Sequence, residues 1–244
     1  MSRDLDLALR LADASDAISH PRFRSGLAIE TKPDLTPVTE ADRAVESELR
    51  QILAEERPHD AILGEEQGAV GAAPRRWILD PIDGTRNYAR GIPIWATLIA
   101  LEEDGVVRVG VVSAPALGRR WWAERGAGAF ANGEPIHVSA IATVEEAVLS
   151  FAIEQTIPEL ARRAWHRRGL GDFWAHMLVA EGAVDGAVDA MGLNEWDLAA
   201  VQVVVEEAGG QFSDFAGEPR IDSGSAITSN GLLHGALLAA IVVP

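Results

Sequence analysis

The sequence predicts a mixed fold in which an α+β half, residues 1–142, precedes an α/β half, residues 143–244, the two packed as one compact unit. Three observations carry this. Two helical patterns open the chain, a run of short apolar segments separated by turn residues follows, and after about residue 143 single strands alternate with helices.

Leu5, Ala8, Leu9, Ala12, Ala17 and Ile18 recur at near-helical spacing, which predicts a first helix over residues 4–19, ended by Pro21. The run Thr31-Lys32-Pro33-Asp34-Leu35-Thr36-Pro37 is rich in breakers and predicts a loop. A second helix starts at Thr39, with Ala41, Val45, Leu49, Ile52 and Leu53 on one face. Apolar runs then predict strands over residues 61–63, 77–79, 96–101, 106–113, 119–123 and 136–139. Asp104-Gly105 and Asn132-Gly133 are residue types that hairpin turns favour, so much of this sheet is expected to be antiparallel. In the second half the pattern predicts a strand over 148–151, helices near 157–167 and 173–182, and a strand over 184–188. A helix over 197–208 is closed by Gly209-Gly210, and strands over 211–213 and 226–228 lead to a last helix.

Composition limits what such a chain can do. With 48% hydrophobic and 24% charged residues it can pack a core, and a net charge of −16 excludes nucleic acid and anionic membrane surfaces as general partners, since both need clustered Lys and Arg. There is no cysteine, so a metal must be held by oxygen or imidazole, which favours Mg²⁺, with Mn²⁺ as a substitute, over structural zinc. The N-terminal residues lack the apolar core of a secretory signal, and the apolar stretch over 232–243 is too short to span a bilayer and contains His234 and Gly235. A cytoplasmic protein is expected.

The chemistry gathers on carboxylates. Trp77-Ile78-Leu79-Asp80 reads as a buried strand delivering an Asp at its carboxyl end, followed by Pro81, Ile82, Asp83, Gly84 and Thr85. A strand ending in a turn there brings Asp80, the Ile82 carbonyl and Asp83 around one or two metal ions, while the Gly84 and Thr85 amides face a phosphate. Either Asp alone is an ordinary turn residue; the six-residue run after an apolar strand is far more restrictive. Gly64-Glu65-Glu66 follows the 61–63 strand and offers a second carboxylate source, or else a solvated acidic loop. Asp197 opens a helix, where an N-cap role and metal binding are compatible. Thr39-Glu40-Ala41-Asp42 has the form of a capping box; alternatively, Asp42 accepts the Thr85 hydroxyl proton and orients that hydroxyl to polarise an attacking water.

Val38 to Asp42, Gly64-Glu65-Glu66, Trp77 to Thr85, Trp196-Asp197-Leu198-Ala199-Ala200 and Glu207-Ala208-Gly209-Gly210 together resemble the inositol monophosphatase superfamily over nearly the whole chain. The resemblance implies a layered αβαβα sandwich, Mg²⁺ dependence with two or three ions per site, lithium sensitivity and a homodimer acting on a small phosphorylated metabolite. It implies Glu65, Asp80, the Ile82 carbonyl, Asp83 and Asp197 as metal ligands, and Asp42, Thr85 and Glu65 as the groups that activate water. Within the superfamily the chain is most similar to actinobacterial histidinol-phosphatases, through the Thr31 to Thr39 run, Gly91-Ile92-Pro93-Ile94-Trp95-Ala96, the 111–117 stretch, Arg120-Trp121-Trp122 and Gly171-Asp172-Phe173.

Two departures bear on the substrate. Ala190 stands where inositol monophosphatases place a sugar-binding Glu, with Asp189 and Glu195 as possible substitutes, and the 150–171 segment is short. Arg168 and Asp172 beside that wall are candidate substrate contacts, their plainer roles being a surface Arg and a helix N-cap. Trp121-Trp122 reads as strand packing or a dimer surface. Histidinol phosphate is the expected substrate, its cationic amine suiting an acidic protein; inositol 1-phosphate, fructose 1,6-bisphosphate, 3′-phosphoadenosine 5′-phosphate and a non-enzymatic metal- or phosphate-binding regulator are the alternatives.

Overall fold

Ser2 caps the first helix, α1 (Arg3–Arg22), by accepting the Leu5 N–H, and Leu5, Leu7, Ala8, Leu11 and Ala12 form its buried stripe. The helix runs past the expected end because Pro21 occupies its last turn, with Phe23 as C-cap. The computed structural model describes residues 2–25, 29–31, 37–153, 159–190 and 192–241. The expected 31–37 loop has its interior, residues 32–36, outside the described residues; its flanks pair as a short antiparallel ladder, β1 (Ile29–Thr31) with β2 (Pro37–Thr39). Helix α2 (Glu40–Glu56) starts at the Thr39 capping box as expected and buries Ala41, Val45, Leu49 and Leu53.

An eight-stranded sheet follows: β3 (Ala61–Gly64), β4 (Gly68–Val70), β5 (Arg75–Asp83), β6 (Ala96–Glu103), β7 (Val106–Ala114), β8 (Arg119–Glu124), β9 (Gly128–Ala131) and β10 (Glu134–Pro135). A six-residue helix, α3 (Thr85–Arg90), sits between β5 and β6. The spatial order is β10-β9-β8-β7-β6-β5-β3-β4, antiparallel except where β3 runs parallel to β5. Asp104-Gly105 and Asn132-Gly133 make the expected turns, all four residues having positive φ. The expected 136–139 strand is absent: the Ile136 N–H still donates to the Ala129 carbonyl of β9, but beyond it the chain leaves the sheet and the Val138 N–H donates to the Ala208 carbonyl instead.

The second half builds a five-stranded sheet from β11 (Val148–Ala152), β12 (His166–Arg168), β13 (Gly186–Asp189), β14 (Gln211–Ser213) and β15 (Ala226–Ser229), ordered β12-β11-β13-β15-β14. Its helices are α4 (Glu159–Arg163), α5 (Asp172–Ala180), α6 (Glu195–Glu207) and α7 (His234–Ala240). The single helix expected near 157–167 is replaced by the short α4 and the edge strand β12, with 157–158 outside the described residues. Helix α6 begins two residues early: Asn194 is its N-cap and Asp197 its third residue, completing a capping box rather than capping the helix.

The layers stack α–β–α–β–α. Helices α1 and α2 cover one face of the large sheet, and α5 and α6 fill the space between the sheets. Helices α4 and α7 cover the far face of the small sheet. Two cores therefore flank the large sheet, Trp77, Leu79 and Ile99 pointing to α1 and α2 while Ile78, Leu98 and Ala100 point to α5 and α6. Among the described residues no helix is long and apolar enough to cross a membrane.

Candidate active site

Strand alternation aims the carboxylates. Since Ile78 faces the α5–α6 layer, Asp80 two residues on faces it too, and a regular strand would turn Asp83 to the opposite side. The strand does not end at Asp80 as expected; it continues to Asp83 with a bulge, three residues spanning Asp80 to Asp83 against two from Leu98 to Ala96. That extra residue returns Asp83 to the side of Asp80, and it accommodates Pro81, which has no N–H for a ladder. The bulge is held from within and without: Ile82 N–H donates to Asp80 Oδ1 at 3.0 Å, and Thr97 Oγ1 donates to the Pro81 carbonyl at 2.8 Å.

Oxygens of Asp80, Asp83 and Asp197 lie within 4.8 Å of one another. Glu65 joins them because β3 and β5 run parallel with Gly64 opposite Leu79, and the Glu65 N–H donates to the Leu79 carbonyl at 3.1 Å, level with Asp80. Asp80 is held well above the usual carboxylate range by burial first, then by the negative charge of Glu65, Asp83 and Asp197. Asp83 is raised likewise, by burial and then by Asp172 and Asp197, against the Phe173 N–H that donates to it at 2.6 Å. Burial pushes Asp197 up to about 7, opposed by the Asn194 N–H at 2.6 Å. Buried acids that raise one another's pKa form an incomplete electrostatic unit, and a divalent cation is the partner that lets all of them ionise. The donors are all oxygen, so the set fits a hard ion such as Mg²⁺.

Beside this cluster stands a hydroxyl with a built-in acceptor. Thr85 Oγ1 lies 3.3 Å from Asp42 Oδ1 and 3.0 Å from the Ile82 carbonyl. Asp42 is fully buried, and its other oxygen accepts the Thr39 N–H at 2.8 Å and the Thr39 hydroxyl at 2.5 Å. Burial raises its pKa and the Thr39 hydrogen bonds oppose the rise. One carboxylate therefore completes the capping box and lies within hydrogen-bond reach of the Thr85 hydroxyl.

These groups open into a cleft of about 460 Å³. Its lining includes Glu65, Asp83, Gly84, Thr85 and Asp197 together with Asp172, His176, Asp189 and the apolar Phe151, Ile153 and Leu193. Gly84 has φ +80°, and a Cβ there would sit 3.0 Å from the Ile94 carbonyl. Asp172 is not an N-cap: it is the first residue of α5, at φ +55°, with Gly171 as the cap. Its carboxylate accepts from Asn87 Nδ2 at 3.2 Å. Burial raises Asp172 despite Arg86.

Arg168 does not line the cleft; it is exposed on edge strand β12, in register with Ser150 and short of the cleft wall at Phe151 to Ile153. Glu195 is also turned away, paired with Arg76 at 2.6 Å. Asp189, 2% exposed, is the acid that reaches the wall. Trp121 packs inside against Phe173 and Trp174, and Trp122 stacks on Phe130. His176 carries no motif and escapes a reading by metal-ligand spacing; its position one helical turn beyond Asp172 is the signal that places it on the same wall. The imidazole Nδ1 is 2.8 Å from Thr228 Oγ1, and burial lowers its pKa to about 4, so the ring is neutral.

The sequence model described as the inositol monophosphatase family matches residues 2–243. Among curated proteins, the histidinol-phosphatase of Mycobacterium tuberculosis is 50% identical over 251 residues, covering 96% of this chain and 96% of its own. That of Streptomyces coelicolor is 48% identical over 254 residues, covering 96% and 95%. Among solved structures, an IMPase of Thermotoga maritima superposes with a TM-score of 0.88 at 34% identity, covering 98% of this chain and 96% of its own. The chain belongs to the inositol monophosphatase family.

Proposed function

We propose that the protein is a Mg²⁺-dependent phosphomonoesterase that hydrolyses L-histidinol phosphate to L-histidinol and phosphate, a step of histidine biosynthesis. One observation carries the reaction class: Asp83 and Asp197, clustered with the buried Asp80, and the Asp42-linked Thr85 hydroxyl line one cleft. Glu65, Asp80, the Ile82 carbonyl, Asp83 and Asp197 would hold two or three Mg²⁺ ions, with Mn²⁺ as a substitute. When bound, the metal supplies positive charge to the phosphate and leaving oxygens. The chain's own groups do the rest. Gly84 and Thr85 amides orient the phosphate, and Thr85 Oγ1 accepts a proton from the attacking water as its own hydroxyl proton moves toward Asp42. The water oxygen forms the new P–O bond in line with the breaking bond to the alcohol, and the departing oxygen is protonated from solvent.

Support for the alcohol is twofold. The chain is about half identical to histidinol-phosphatases over nearly its full length, and the cleft wall carries Asp172 and Asp189, acids suited to an ammonium group. The enzyme on this reading is cytoplasmic and homodimeric, and a sedimentation measurement tests the latter. The deciding experiment compares kcat/KM for L-histidinol phosphate, inositol 1-phosphate, fructose 1,6-bisphosphate and 3′-phosphoadenosine 5′-phosphate. Histidinol phosphate is expected to lead; a preference for another member reassigns the substrate, and phosphate binding without turnover on every member removes the enzymatic reading.

A further inference from the structure

Glu46 is a fully buried carboxylate outside the cleft lining that grips the turn carrying one of the cleft residues. Its Oε2 accepts the Glu66 N–H at 2.7 Å and its Oε1 accepts the Gln67 N–H at 3.0 Å. Those two amides belong to the three-residue connection between Gly64 and Gly68, whose first residue is Glu65. Arg50, one helical turn on, donates from Nε to Glu46 Oε1 at 2.8 Å and from Nη2 to the Gly68 carbonyl. The pair therefore holds both ends of the Glu66 to Gly68 backbone. Gly64 is part of the same fit, since a Cβ there would overlap the Glu46 carboxylate. Glu46 also lies one turn beyond Asp42 on the same helix, so α2 presents two buried carboxylates in a row, one to the Thr85 hydroxyl and one to the Glu65 turn.

We propose that Glu46, with Arg50, is a positioning residue: it fixes the turn that places the Glu65 carboxylate beside Asp80, and thereby sets how tightly the cluster holds Mg²⁺. This rests on the reading of Glu65 as a member of the metal site. A buried carboxylate with two backbone donors and a guanidinium is held in one place, and a turn whose amides it accepts cannot shift without leaving that charge unsatisfied. Groups that orient metal ligands from behind change affinity or activity about 10- to 100-fold when removed. A purely structural Glu46 would lower thermal stability and leave the folded protein's Mg²⁺ affinity alone.

The test is calorimetric titration of EDTA-stripped full-length protein with Mg²⁺, for wild type, Glu46→Gln, Arg50→Gln, Glu65→Gln and the double variant Glu46→Gln/Glu65→Gln. Glu46→Gln is expected to weaken Mg²⁺ binding about 10-fold, with an activity deficit that shrinks as Mg²⁺ is raised. In the Glu65→Gln background the same change is expected to cost less than about twofold, because the effect travels through Glu65. Arg50→Gln, which leaves Glu46 in place, is expected to weaken binding about threefold with the same dependence on Glu65, and carries the test if Glu46→Gln does not fold. Wild-type affinity in Glu46→Gln, or a loss that adds in full to that of Glu65→Gln, overturns the proposal. If instead Glu65→Gln itself leaves Mg²⁺ affinity and kcat unchanged, it is the reading of Glu65 that fails.

Discussion

Thr85 has one hydroxyl proton and two acceptors, Asp42 Oδ1 at 3.3 Å and the Ile82 carbonyl at 3.0 Å, so Asp42 can draw that proton only by competing with the backbone. Thr85→Ala removes the relay while leaving the carboxylate cluster in place, and kcat is expected to fall by about 10²- to 10⁴-fold with Mg²⁺ affinity kept within about threefold. Thr85→Ser, which retains the hydroxyl, is expected to recover most of the loss; steady-state kinetics at saturating Mg²⁺ reads both. The run from Asp80 to Thr85 was legible as a candidate site because a local strand delivers it. The bulge was not, since it depends on pairing with β6 and on the Thr97 hydroxyl, residues distant in sequence. Arg168 illustrates the converse: proximity along the chain to the 150–171 wall placed it near the substrate, and the parallel pairing of β12 with β11 leaves it on the outer edge.

Helix α6 lies across the large sheet at Gly110 of β7, where a Cβ would come 2.5 Å from Val203 Cγ1 and 2.8 Å from the Ala200 carbonyl. Gly110→Ala must push the helix away, and overpacking of this kind costs about 1–3 kcal/mol. Because the same helix carries Asp197, thermal melts are expected to show lower stability and titrations a weaker Mg²⁺ affinity. An unchanged melting curve would mean that the helix gives way without cost. At this scale the sequence is most readable where the determinants are local. The two hairpin turns and the Thr39 capping box follow from their own residues. Asn194 wins the cap from Asp197 through a difference of three residues that polarity alone does not settle, and the brief α4 and edge strand β12 replace a single helix because β11 offers a free ladder edge.

Across the molecule, two halves of the chain meet at one acidic cluster: Glu65, Asp80 and Asp83 come from the large-sheet half and Asp197 from the start of α6. Asp197 is raised to about 7 from an ordinary 3.8, so the folded metal-free protein binds its proton more tightly than the unfolded chain does. The stability this represents is present below about pH 4 and is lost as pH rises toward 7. On the proposed reading Mg²⁺ would bind the ionised cluster in competition with that proton. The rise in melting temperature on adding a fixed excess of Mg²⁺ is therefore expected to be larger at pH 8 than at pH 6, and an equal or smaller rise at pH 8 would contradict the proton–metal competition. The five-layer order became readable only when the family likeness was added to the strand and helix pattern, because which helices lie between the sheets is a property of packing. The most direct measurement is phosphate release from L-histidinol phosphate by wild-type protein and by Asp80→Asn, each titrated with Mg²⁺. Wild type is expected to turn over only with Mg²⁺, and Asp80→Asn to lose on the order of 10³-fold in kcat/KM. Undiminished release by Asp80→Asn would contradict metal-assisted phosphoester hydrolysis at this cluster.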